Sequence, residues 1–175
     1  ALRRAARIDL LWAERASEDD YWETYWDDEE FVAIGEGGSL ATADELNRDH
    51  IEELVVRALG RAYNGDAEQA IDDSAWAAEL ATMAGFHDLR VRALAIQGRT
   101  MTFREDTLLG LNIMQQAYDH AVAHADAVGA ERVADTTHDY AVVLHAAEHY
   151  ADAQLAYERG LEARTEAYGA EHPIL

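Results

Sequence analysis

A chain of 175 residues, 49% of them apolar, is long enough for one domain or a stack of small units and too apolar to be a disordered tail. Fourteen basic residues, all arginine, against thirty-five acidic ones give a net charge of −21, which sets the chain against nucleic-acid phosphates and anionic lipid. Cysteine is absent, which excludes disulfides and thiolate chemistry, and no apolar run approaches the roughly 18 residues that cross a bilayer.

Taken in order, Leu2 to Ala16 reads as a helix. Ser17-Glu18-Asp19-Asp20 opens a second that carries Tyr21, Trp22, Tyr25 and Trp26. In EDDYWETYWDDEE the two tryptophans share one helical face and the two tyrosines another. These aromatics either pack on the first repeat or form an acidic–aromatic surface for basic groups of a partner. Gly35-Glu36-Gly37-Gly38-Ser39 is a flexible loop. It closes an N-terminal segment, residues 1–42.

From there the chain reads as three antiparallel helix pairs. Thr42-Ala43-Asp44-Glu45 is a capping box. Behind it Ile51, Leu54, Val55, Ala58, Leu59 and Ala62 form one apolar stripe that ends at Asn64-Gly65. Asp66 caps a partner helix that ends near Gly85. The second pair runs from His87 to Arg104 and from Asp106 to Val128, stopped by Gly129. The third runs from Glu131 to Ala146 and from His149 to Tyr168, stopped by Gly169. The expected fold is all-α, with units at about 43–85, 86–129 and 130–173.

Self-comparison supports repetition. Ala70, Ser74 and Ala77 align with Gly110, Met114 and Ala117, and with Ala153, Tyr157 and Gly160. Small residues at both ends of the pattern let neighbouring backbones approach. Gly65-Asp66 followed by Ala70, and Tyr150 with Ala153, Tyr157, Gly160 and Leu161, resemble tetratricopeptide repeats. The run Arg164-Thr165-Glu166-Ala167-Tyr168-Gly169-Ala170-Glu171-His172-Pro173 is similar to the longer repeats of kinesin light chains and of bacterial regulators. Tyr140-Ala141 stands where the last repeat usually has a Leu-Gly pair.

The resemblance covers residues 43–173 and implies a right-handed solenoid whose first helices line a groove. Its groove positions fall on Glu52, Val55, Leu59 and Tyr63; then on Arg92, Ala95, Arg99 and Phe103; then on Asp135, His138, Val142 and His145. Arg92 and Arg99 either clamp a partner's carboxylate or pair with acids on neighbouring helices. Tyr63 and Phe103 are the expected apolar anchors.

The implied function is a protein-interaction scaffold that binds a peptide or protein segment, in a cytoplasmic, non-enzymatic role without cofactor. A sensor or regulatory domain of a larger regulator is the alternative. Further repeats or self-association would cover an open end after His172. The chain opens on Ala1, so either an initiating Met has been removed or this is a piece of a longer protein. Its acidity fits salt adaptation, general solubility or a basic partner, and charge alone names no partner.

The competing chemistry is HAAEH, His145 to His149, which matches the H-x-x-E-H of some zinc peptidases. That use needs both histidines on one continuous helix. The repeat phase instead puts a turn at about 146–148, with His145 closing one helix and His149 opening the next. His120 and His124, beside Asp119, are a second i, i+4 histidine pair. Surface histidines on an amphipathic helix account for it without metal. There is no phosphate-binding loop, no nucleophile elbow and no EF-hand spacing.

Overall fold

The computed structural model describes residues 47–104 and 106–169. The expected N-terminal helices with Tyr21, Trp22, Tyr25 and Trp26, the Gly-rich loop, the Thr42 cap and the end of the chain past Gly169 lie outside the described residues. Seven helices make up the described part: α1 Arg48–Asn64, α2 Ala67–Ala84, α3 His87–Arg104, α4 Thr107–Ala123, α5 Ala125–Val128, α6 Ala130–Ala146 and α7 Tyr150–Tyr168. Among these residues there is no strand, and no helix is long and apolar enough to cross a membrane. Consecutive helices pack on one another along the chain, as in a helical repeat, and α1, α3 and α6 also touch in succession.

The described start of α1 has its own cap. Asn47 is extended, and its side chain accepts a hydrogen bond from the Asp49 N–H at 3.0 Å, satisfying a donor that the first turn leaves free. The stripe predicted for this helix buries Ile51, Leu54, Val55 and Ala58, while Leu59 opens to solvent.

Four helices end with one device. The amide just past the turn donates back five residues: Asp66 to Arg61 O, Phe86 to Ala81 O, Asp106 to Met101 O and His149 to Leu144 O. At three of these ends the residue before the donor is left-handed, which completes the Schellman ending. Gly65 and Gly85 supply that conformation at φ 89° and 76°. At the α6–α7 turn the position is held by Glu148, at φ 65°. A Cβ there costs about 1–2 kcal/mol relative to the ordinary helical region.

One predicted helix is broken. Residues 106–128 were expected to be continuous, but α4 stops at His124, whose φ of −123° and ψ of 34° leave the helical region. Its carbonyl then accepts from Ala127 and Val128, starting the short α5. The redirected chain buries Val128 against Val91 and Ala121, with Val133 beside them. That apolar contact accounts for the break.

The main core joins Ile51, Val55, Leu80, Leu89, Met114 and Val143. Each such side chain contributes about 1.5–3 kcal/mol by leaving water. About half of the buried apolar residues are alanine, so much of the packing is backbone against backbone. All three copies of the small–x–small pattern face inward: Ala70 and Ala77, Gly110 and Ala117, Ala153 and Gly160.

The tightest crossing is between α3 and α4. A Cβ built on Gly98 would lie 2.8 Å from the Met114 nitrogen, and one on Gly110 would meet the Thr102 backbone and hydroxyl and the Gly98 carbonyl. At Gly160 the approach is looser, 3.3 Å from the His138 nitrogen.

Gly110→Ala should therefore destabilise the protein by about 1–3 kcal/mol, because backbone cannot yield to the added methyl. Gly60→Ala, in exposed α1 with nothing within 4 Å, should stabilise by up to about 1 kcal/mol. Thermal denaturation of the pair checks both signs. Glu148→Gly should raise stability by about 1 kcal/mol, since glycine occupies the left-handed region without strain. A lowered midpoint would contradict the strained turn.

Candidate functional site

The first helices of successive pairs are joined by a ladder of ion pairs with one register. Arg48 on α1 pairs with Asp88 on α3, and Glu52 on α1 accepts from Arg92 on α3 at 2.9 Å; each pair is 40 residues apart. Arg99 on α3 pairs with Asp139 on α6 at 3.1 Å, again 40 residues on. Burial opposes ionisation of Asp88, but the Arg48 guanidinium outweighs it and holds the carboxyl below its ordinary range. Arg164 of α7 reaches Asp135 at 3.1 Å, and the Tyr168 hydroxyl donates to the other oxygen of that carboxylate.

Some of these side chains, but not Arg99, Asp139 or Arg164, line a cleft of about 580 Å³. Its lining brings Arg48, Arg92 and Arg132 together with Glu52, Asp88, Glu131, Asp135 and Tyr168. Three of the carboxylates are already bound by arginines. Among the described residues Arg132 makes no ion pair, and it is the cation left to meet an incoming carboxylate.

Eight of the predicted groove residues divide into three groups. Val55 has 0% exposure and sits in the core, so it is corrected from groove lining to packing: its helix turns that position toward α3 and leaves Leu59 outside. Glu52, Arg92, Arg99 and Asp135 are at or near the surface but engaged in the ladder, which is the internal-pairing alternative for the two arginines. Leu59, Tyr63 and Phe103 are exposed at 39%, 80% and 57%. Tyr63 and Phe103 stand at the C-terminal ends of α1 and α3, equivalent positions in the 40-residue register.

On α6, His138 lies edge-on to Tyr157 with ring centroids 5.6 Å apart, Val142 and Ala95 of α3 are half-buried, and His145 is exposed beside Tyr150. Burial lowers the pKa of His138. Arg132 was not among the predicted positions. Its signal was available, because it lies 40 residues after Arg92, whereas the 43 residues that separate Gly110 from Ala153 in the aligned second helices carry Arg92 onto Asp135.

HAAEH does not share a helix. His145 lies in the last turn of α6, Glu148 is in the left-handed region, and His149 precedes α7, 3.9 Å from Asp152. The other pair gains a third member. His87, the first residue of α3, approaches His120 with Nδ1 3.0 Å from Nε2 and stacks on His124 at 3.9 Å between centroids. Burial, followed by the Arg90 charge and the two neighbouring rings, lowers the pKa of His120 to about 4.

An ordinary histidine titrates near 6.5, so the unfolded chain takes up a proton that folded His120 refuses until about pH 4. The stabilising neutral state is fully present above pH 6.5 and is lost as pH falls toward 4. Wild type should therefore lose stability relative to His120→Gln across that window. Paired denaturation midpoints at pH 7.5 and 4.5 check it, and a pH-independent difference would contradict the buried neutral ring.

Comparison with protein-family models, curated proteins and solved structures gives no match for this chain.

Proposed function

We propose that the chain is a tetratricopeptide-like interaction module that holds an extended segment of a partner protein along the face made by α1, α3 and α6. The carrying observation is the exposure of Tyr63 and Phe103 on a face whose other end is a charged cleft with Arg132 unengaged. Exposed aromatic anchors combined with a charged recess are what protein-binding surfaces use for affinity and register. From Glu52 to Tyr63 the helix rises about 16 Å, the span of about five extended residues. The suited partner segment therefore carries a large apolar side chain at one end and, at least about five residues away, a carboxylate that reaches Arg132 across the cleft. Arg92 and Arg99 serve this surface by holding the helices in register, and Arg132 takes the carboxylate.

The charged groups gathered in the cleft carry a second reading, a sensor domain for a small charged molecule. Panning a random peptide library against the chain distinguishes the two. The interaction reading expects peptides with the apolar–carboxylate spacing, and at least a tenfold loss of affinity, about 1.4 kcal/mol, in both Arg132→Ala and Tyr63→Ala/Phe103→Ala. Failure to select peptides, or affinities unmoved by these substitutions, defeats it. Loss on Arg132→Ala alone favours the small-ligand reading.

A further inference from the structure

His87, His120 and His124 come from both sides of the α3–α4 pairing, at the end where α4 breaks. One nitrogen from each ring lies within 4.8 Å of the others. The 3.0 Å between His87 Nδ1 and His120 Nε2 is already close to the separation of about 3.3 Å that two imidazole ligands have on a tetrahedral ion with bonds of 2.0–2.1 Å. His120 and His124 are i, i+4, the spacing that lets two helical histidines share one ion.

We propose that these three histidines form a binding site for a divalent late first-row transition ion, zinc in the first instance. Three imidazole nitrogens and no carboxylate select for zinc, copper, nickel or cobalt and against calcium and magnesium, which demand oxygen. All three rings are partly accessible, so an ion has a route in and a fourth position remains for water or another ligand.

The present contacts turn into ligation with small movements. His87 and His120 share one proton along their 3.0 Å contact; ring rotation and a tautomer shift, in which the donating ring gives up that proton and takes one from solvent on its other nitrogen, leave both rings neutral with a lone pair toward the ion. His124 must slide from its stacked position over His87, which its place at the irregular end of α4 permits more readily than a mid-helix position would. Burial holds His120 neutral, leaving its lone pair unprotonated at neutral pH. One neighbour opposes binding: the Arg90 charge acts on His120 with the same sign as the ion.

The opposition supplies a signed test. Untagged protein, stripped with chelator and dialysed, is titrated with zinc chloride in competition with a chromophoric chelator, and with magnesium chloride in parallel. One zinc per chain with micromolar or tighter affinity is expected, no magnesium binding, and a higher thermal midpoint with zinc. His120→Ala and the more conservative His124→Gln should each weaken zinc by about tenfold or more by removing one of three ligands, while circular dichroism reports whether each variant is folded. Arg90→Gln should tighten it. His145→Ala/His149→Ala should leave it unchanged. No zinc binding, binding unaffected in folded His124→Gln, or loss of binding in the His145/His149 variant would overturn the assignment.

Discussion

The contact on which the rest depends is the crossing of α3 and α4 at Gly98 and Gly110, where the two backbones come too close for a Cβ on either glycine. The Thr102 hydroxyl, which lies against Gly110, bonds its own helix, to the Gly98 carbonyl at 2.8 Å. Met114, on the same contact, fills the space beyond and reaches the main core. The second pair is thereby the most constrained part of the described chain. It carries the ladder toward α1 and α6 on one side and the histidine cluster at its end. Alanine-rich packing elsewhere follows the same logic with less compression, since a methyl group is the largest side chain such spacings admit.

Electrostatics plays a different part. The ladder pairs are mostly half-exposed, and such pairs contribute little stability, about 0–1 kcal/mol each. Their regular spacing matters more than their strength: arginines and carboxylates placed 40 residues apart set which turn of one first helix faces which turn of the next. They also remove most of the cleft's charge from circulation. A chain of net charge −21 thus presents a cleft that is nearly balanced, which suits recognition of a mixed peptide better than the composition implies.

Much of the architecture was legible because its signals are local. Glycines after amphipathic stripes mark helix ends, and the small residues at Ala70, Gly110 and Ala153 mark the close contacts. The turn within HAAEH was readable from repeat phase alone, although its left-handed Glu148 was not, because glutamate carries no sign of that conformation. The break at His124 was invisible for another reason: it is dictated by Val91 and Ala121, which only tertiary packing brings to Val128. The same holds for His87, 33 residues from His120 and indistinguishable in sequence from any helix-opening histidine. Val55 was misplaced because groove and core positions are neighbours on one helical face, and the tilt of the helix decides between them. Arg92 and Arg99 had two readings that only distances to Glu52 and Asp139 separate.

The ladder has a mechanical consequence. Within each pair the helices touch through backbone and methyl groups, which are stiff. Between first helices the links run through arginine side chains with several rotatable bonds, ending on carboxylates that water reaches. The three pairs share one apolar core, so these tethers do not hold the pairs together; what ions loosen by screening is the lip of the cleft, where arginine and carboxylate meet above that core.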